Sequence, residues 1–303
     1  MEQYTLFTDI ETKIKRSIHA MQTFEAKALQ MSPEGYYLCF SGGKDSQVIY
    51  ALAKMAGVKF QAYYNITTVD PPELVHFIRK EYPEVTMVQP RTSMWRLIPQ
   101  KKYPPTRKVR YCCSELKERG GQGRFVVTGV RWQESKNRRN RGLAEVLGPK
   151  EPKIIFLNND NDESRRMIES CQLKGKYALN PIIDWSEDEV WYFIHRYIKK
   201  YCVLYDKGFQ RLGCIGCPLA SIRQRKWELS LYPAYRRAYL RAFEQLLKER
   251  DINKTDFAGE PWKTPEDIYK WWLYGSEKKE KQIEGQLKLD LSALGNCETD
   301  LQA

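Results

Sequence analysis

Six consecutive residues, Ser41-Gly42-Gly43-Lys44-Asp45-Ser46, carry the strongest local chemical signal in the chain. The two glycines permit backbone torsions that a side chain would forbid, so successive N–H groups can converge on one anion. A short apolar run, Tyr36 to Phe40, precedes them, and apolar residues at helical spacing, Gln47 to Ala56, follow. Strand, loop and helix in that order present a positive helix N-terminus to the same point. Lys44 can add a charge, Asp45 can help place Mg2+, and Ser41 and Ser46 can donate hydroxyls. The spacing is shorter than that of the Gly-x4-Gly-Lys-Ser/Thr loop.

The second signal is in the cysteines. Of eight, four form two local pairs, Cys112-Cys113 and Cys214-x-x-Cys217, with 100 residues between the pairs. Four thiolates brought together by a fold can hold one metal centre, either a [4Fe-4S] cluster or zinc. Zinc sites generally take each pair as Cys-x2–4-Cys, which adjacent cysteines with diverging side chains fit poorly. Gly213, Gly216 and Pro218 suit a tight ligand turn. Arg107, Lys108 and Arg110 adjoin the first pair and would offset a cluster's negative charge. Cys39 is expected in the core, Cys171 and Cys202 in structural roles, and Cys297 in a solvated tail.

Charge narrows the partners. The 303 residues carry a formal net charge of +12, and the last 28 are net acidic, so the excess is larger elsewhere. Basic residues concentrate in three stretches: Arg96 to Arg110, Arg131 to Arg141, and Arg223 to Arg241. A phosphate-rich partner, a nucleotide or DNA or RNA, is the expectation. No apolar run approaches the ~20 residues that span a bilayer, and the acidic start lacks the features of a signal peptide. A cytosolic protein without a membrane partner is expected. In that compartment the cysteines are read as metal or redox groups and not as disulfides.

These groups need elements to hold them. Ile10, Ile14, Ile18, Met21, Phe24 and Ala28 recur on one face of a helix. Strands are expected at Tyr36 to Phe40, Val58 to Ile66, Val85 to Gln89, Phe125 to Val130, Ile154 to Leu157 and Tyr177 to Ile183. Helices are expected between them, at Glu73 to Glu81, Trp95 to Ile98 and Cys113 to Arg119. Ser186 should cap a helix reaching Lys199, with Glu187, Asp188 and Glu189 in its first turn. A long helix, Ser221 to Glu249, kinked near Pro233, and another from Pro265 to Trp272 follow. Alternating strands and helices imply an α/β fold with a mostly parallel sheet and a helical C-terminal region. The expected divisions are an N-terminal helix (1–34), a nucleotide-binding α/β unit with the cysteines (35–220), a helical region (221–275) and a tail (276–303).

The six-residue loop resembles the PP-loop of N-type ATP pyrophosphatases, which split ATP into AMP and pyrophosphate and adenylate an acceptor. Further segments narrow the resemblance: Asn65 to Glu73, Thr128-Gly129-Val130-Arg131 with Glu134-Ser135, Asn180 to Ser186 with Asp188 to Trp191, and Leu204 to Gly208 leading to Gly213–Cys217. In this order, from about Tyr36 to Ala220, they resemble the phosphoadenosine/adenosine phosphosulfate (PAPS/APS) reductase family. The resemblance implies a fold of the adenine nucleotide α-hydrolase type. It implies Thr67, Thr68 and Asp70 near adenosine, Gly129 in the nucleotide site and Arg131 near the reacting phosphate or sulfate. Independently, an arginine just beyond the end of a parallel strand sits at the ligand crevice of an open α/β sheet. The cysteine pattern resembles the cluster-binding pattern of APS reductases and the sulfur-handling component of DNA phosphorothioation systems.

One departure bears on function. APS and PAPS reductases carry a cysteine in Glu-Cys-Gly-Ile/Leu-His near the C-terminus. Here Cys297 stands in Leu294-Gly295-Asn296-Cys297-Glu298-Thr299, and the last histidine is His195. The leading expectation is therefore an ATP pyrophosphatase that adenylates an acceptor for sulfur transfer in nucleic-acid modification, with a cysteine desulfurase or other sulfur donor as partner. The alternatives are a thiol-dependent APS/PAPS reductase that releases sulfite, and a non-catalytic nucleotide- or nucleic-acid-binding module.

Overall fold

The computed structural model describes residues 3–117, 120–134, 138–139, 141–147, 153–155, 176–249 and 262–274. Among them, seven strands form one sheet: β1 (Tyr36–Cys39), β2 (Phe60–Asn65), β3 (Thr86–Val88), β4 (Phe125–Val127), β5 (Ala144–Leu147), β6 (Lys153–Ile155) and β7 (Lys176–Leu179). Their spatial order is β3-β2-β1-β4-β7-β5-β6. Pairs β1–β2, β2–β3, β1–β4 and β4–β7 are parallel, and β5 runs antiparallel to both β7 and β6. The mostly parallel α/β sheet expected from the sequence is present, with an antiparallel edge.

The chain builds outward from β1 to β3 on one side, then restarts at β4 on the other. The strand order therefore reverses between β1 and β4, where open α/β sheets place their ligand crevice. Ser41 follows β1 and Gly129 follows β4, so the topology brings both loops to one crevice.

Helix α1 (Gln3–Met31) packs along α2 (Lys44–Ala56). Ile10, Ile14, Met21, Phe24 and Ala28 are buried as the spacing predicts. Burying each of the larger side chains contributes about 1.5–3 kcal/mol. Ile18 is only half-buried, and Ser17 takes the inner position, its hydroxyl donating to Pro181 O at 2.6 Å. Gly57 closes α2 in the left-handed conformation, φ 67°.

Next come α3 (Pro72–Glu81), α4 (Met94–Gln100) and α5 (Tyr111–Leu116). Ser186 caps α6 (Glu187–Phe193) in a reciprocal capping box with Glu189. The helix expected to reach Lys199 widens into a π-type turn at Ile194–Ile198, and Lys199 closes it in the left-handed region.

The expected long helix is two, α7 (Ile222–Leu231) and α8 (Pro233–Glu249), because Tyr232 leaves helical torsions before Pro233. With α9 (Pro265–Tyr274) they form a second core on α4, around Leu97, Ile98, Tyr239, Phe243 and Trp272. Ile215, between Cys214 and Cys217, is buried in that core, so the helical region carries the cysteine turn.

Strand β5 was not expected, and β7 stops at Leu179, short of Ile183. Cys39 is half-buried at the end of β1 and not in the core, whereas Cys202 is fully buried. Cys171 and Cys297 lie outside the described residues. No helix among the described residues is long and apolar enough to cross a membrane.

Candidate functional site

The six-residue loop turns between β1 and α2. Gly42 has φ 72°, and a Cβ there would stand 2.7 Å from Leu74 Cδ1 and Ile78 Cδ1, so both torsion and space require glycine. Gly43 is the N-cap of α2. The N–H of Lys44 donates to the Tyr205 hydroxyl at 2.8 Å. The N–H groups of Asp45 and Ser46 meet no acceptor among the described residues. Ser41 Oγ donates to Ser46 Oγ at 3.2 Å, and Ser46 Oγ to Gly43 O at 2.8 Å. Burial pushes the Tyr205 phenol's pKa up, so it stays protonated at the helix N-terminus.

Lys44 is 5% exposed. Its Nζ donates to Gln210 O at 3.1 Å and pairs with Glu187 at 3.2 Å. Arg131, 3% exposed, lies just beyond β4, at the place predicted for it. Its Nε meets Asp45 Oδ1 at 2.6 Å, and its NH1 donates to Gln133 Oε1 at 3.1 Å and Trp185 O at 3.3 Å. A Cβ on Gly129 would stand 3.1 Å from the backbone C and O of Asp45. Glycine at 129 thus lets the β4 loop lie against the first turn of α2. Lys44, Asp45, Gly129 and Arg131 are together in one crevice.

The loop after β2 joins that crevice to the cysteines. Asp70 Oδ2 accepts from Thr67 N at 2.6 Å, and Tyr235 OH donates to Asp70 O at 2.6 Å. Thr68 has φ 66°, a strained torsion for a β-branched residue, and its hydroxyl accepts from Met94 N at 2.9 Å, at the start of α4. Cys214 Sγ lies 3.5 Å from Thr67 Oγ1, and Ile215 N donates to Val69 O at 2.8 Å. Thr67, Thr68 and Asp70 thus border the cysteine turn.

Cys112 and Cys113 open α5, and all four paired cysteines are half-buried. The two adjacent thiols lie close enough to act on each other's ionisation, contrary to the divergence expected of neighbours. The neighbouring Cys112 thiol, then the Arg110 guanidinium, pull the Cys113 thiol's pKa down, and Cys112 rises correspondingly. Cys112 also feels the charges of Cys214 and Cys217, so the pairs share one neighbourhood. Cys214 when ionised, and Asp70, push the pKa of the Lys117 ammonium up, while burial raises the Cys214 thiol's own pKa. Arg107 ties the two segments by donating to Pro218 O at 3.2 Å and Leu219 O at 2.7 Å. Four soft donors flanked by cations suit a thiolate-bound centre. Among the described residues, though, no three metal-ligating side chains close to ligand spacing.

Helix α7 holds the cysteine turn. Glu228 accepts from Gly216 N at 2.8 Å, and Arg225 donates to Gly216 O at 3.3 Å while lying over the Trp272 ring. Burial raises the Glu228 carboxyl pKa above its ordinary 4.5. A raised folded-state pKa gives stability that is full below the unfolded pKa and lost as pH rises through the folded one. Glu228→Gln cannot ionise. Urea unfolding should therefore show wild type losing stability relative to the variant as pH rises from 4.5 into the neutral range. Parallel curves would contradict it.

Gln133, Glu187, Tyr205 and Lys117 were not predicted for this site. Tyr205 had a local signal, in the Leu204–Gly208 segment, and so did Lys117, one helical turn after Cys113.

Comparison with known proteins agrees with this geometry. Residues 35–220 match the phosphoadenosine phosphosulfate reductase domain. The chain is 26% identical over 247 residues to the uncharacterized protein MJ0973 of Methanocaldococcus jannaschii, covering 75% of this chain and 54% of that protein. It is 28% identical over 78 residues to the adenosine 5'-phosphosulfate reductase of Anoxybacillus flavithermus, covering 25% of this chain and 33% of that enzyme. The chain thus spans about half or less of the length of these curated relatives. Among solved structures, the PAPS reductase of Candida auris in its phosphate complex aligns with 68% of this chain and 93% of that one, at 18% identity and a TM-score of 0.42. The domain match covers more than half of the chain, from the residue before β1 to just past the second cysteine pair, and the chain belongs to the phosphoadenosine phosphosulfate reductase domain family.

Proposed function

We propose that this protein is a PP-loop ATP pyrophosphatase that adenylates an acceptor for sulfur transfer, with a nucleic acid as the acceptor. The observation that carries the reading is the convergence of Lys44, Arg131 and the first-turn amides of α2 on one crevice. An acceptor oxygen attacks the α-phosphorus of ATP. The bond from that phosphorus to the α–β bridging oxygen breaks, pyrophosphate leaves, and AMP is joined to the acceptor. Lys44, Arg131 and the helix amides stabilise the charge that develops on pyrophosphate. Ser41, Gly42, Gly43 and Ser46 shape the cradle, and Thr67, Thr68, Asp70 and Gly129 border the nucleoside end. Asp45 keeps Oδ2 free of donors among the described residues and would hold Mg2+, which neutralises phosphate charge when bound.

Cys112, Cys113, Cys214 and Cys217 are the proposed ligands of a [4Fe-4S] cluster, with zinc as the lesser alternative. Such a cluster supplies redox or sulfur-binding chemistry. Sulfur would come from a donor such as a cysteine desulfurase.

The surface beside the crevice favours nucleic acid. Trp132 is 41% exposed, pinned by donating its indole N–H to Arg141 O at 2.7 Å. Arg211, Arg141 and Arg131 each lie near enough to Arg138 to repel it, which an anion would relieve. An exposed aromatic amid arginines suits an unstacked base. Incubation with α-labelled ATP and a single-stranded oligonucleotide tests the reading. Label transferred to the oligonucleotide, with binding that weakens steeply as salt rises, supports it. No binding at low salt removes nucleic acid as the acceptor.

A second reading, reduction of APS or PAPS to sulfite, is favoured by the APS reductase relatives. It requires sulfite release from those substrates.

A further inference from the structure

Five polar groups from three elements close into a ring at the mouth of the phosphate loop. Asp45 meets Arg131 Nε at 2.6 Å, and Arg131 NH1 donates to Gln133 Oε1 at 3.1 Å. The same Gln133 oxygen accepts the backbone N–H of Glu187 at 2.8 Å. Glu187 Oε1 then returns to Lys44 Nζ at 3.2 Å, and Lys44 is joined to Asp45 by the chain.

The links are not equivalent. The Arg131 and Asp45 side chains are 4% and 23% exposed, but across the other link Lys44 is 6% exposed and Glu187 51%. Lys44 does not depend on Glu187 for its position, because Gln210 O holds its ammonium and the Tyr205 ring lies 5.7 Å from it. The Glu187 backbone is anchored by Gln133 and by the Ser186 capping box. Its side chain is therefore free to swing while its main chain stays fixed.

We infer that Glu187 is a displaceable internal counter-ion: its carboxylate occupies the Lys44 ammonium until a polyphosphate takes its place, and so sets the loop's affinity for polyphosphate. This rests on the reading of Ser41–Ser46 as a polyphosphate site. A carboxylate within about 4 Å of an incoming phosphate oxygen repels it, the more strongly the less water screens the pair. The side chain must leave, and its departure opposes binding. Glu187 acts on the site only through Lys44, by occupying its ammonium.

Calorimetric titration of the full chain with inorganic pyrophosphate, without divalent metal, tests the inference. Glu187→Gln should bind pyrophosphate at least about fivefold more tightly than wild type, and the gain should shrink as salt rises. Adenosine, which carries no phosphate, should bind both proteins equally. Unchanged or weaker pyrophosphate binding in Glu187→Gln overturns the inference, as does an equal shift with adenosine, which signals a structural change. If folded wild type and variant both fail to bind pyrophosphate, the polyphosphate reading falls and the inference with it. If wild type binds and the variant binds alike, only the inference falls.

Discussion

Gly129→Val should lower the rate of pyrophosphate release from ATP by at least about 100-fold while leaving the protein folded. A Cβ at 129 already stands 3.1 Å from the Asp45 carbonyl carbon and oxygen and 3.2 Å from the Asp45 Cβ. The obstacle is the backbone of the first turn of α2, which cannot yield as a flexible side chain can. Two γ-methyl groups would push that turn, and with it Lys44, Asp45 and their amides, away from Arg131. A misplacement of about 1 Å at a reacting centre costs about 100-fold in rate. The overpacking costs only about 1–3 kcal/mol of stability. Gly129→Ala should give a smaller loss of activity, because a small movement relieves the contacts of a lone Cβ. Steady-state kinetics with a parallel thermal melt check this. A folded valine variant with wild-type activity would show that the β4 loop does not position the phosphate loop.

Cys214→Ser should remove the protein's visible absorption altogether. The proposed cluster predicts a broad band near roughly 400 nm and about four irons per chain in anaerobically purified wild type. Cys214 is the thiol most closely tied to its surroundings, through Thr67, the Lys117 ammonium and the neighbouring cysteine pair. Serine keeps the shape but replaces a soft thiolate with a poor iron ligand. Cys39→Ser, at the half-buried end of β1, should keep both band and iron. Colourless wild type with one zinc per chain would contradict the cluster, and a band that persists in Cys214→Ser would contradict its ligand set.

Local patterns made much of the frame legible. The apolar run before Ser41 and the helical spacing after it placed β1, the loop and α2. The face of α1 followed from residues three and four apart, although Ser17 displaced Ile18 because its hydroxyl finds the Pro181 carbonyl. Pro233 marked the break between α7 and α8. Strand β5 was hidden by Glu145, a charged residue within it, which is buried because Arg141, four residues before it, and Asn180, from a distant part of the chain, pair with it. The π-type turn was hidden because Ile194 to Ile198 reads as continuing helix.

The site divided along the same line. Residue type and neighbourhood singled out Lys44, Asp45, Arg131 and the four cysteines. What each touches depends on long-range closure. Asp45 and Arg131 meet across 86 residues, and Lys44 and Tyr205 across 161. No local periodicity announces such pairs, so Gln133, Glu187 and the partner of Tyr205 emerged only from the fold. Adjacent cysteines likewise diverge in an idealised chain, but at the first turn of α5, beside Arg110, their thiols meet.

The most direct test of the central claim is to identify the products from ATP with the acceptor present. Wild-type protein should yield pyrophosphate and an equal amount of AMP joined to the acceptor. The double variant Lys44→Ala, Asp45→Ala should lose that release by at least about 100- to 1,000-fold, the scale for removing preorganised charge stabilisation. ADP and phosphate as products, or pyrophosphate release undiminished in the double variant, would contradict the account.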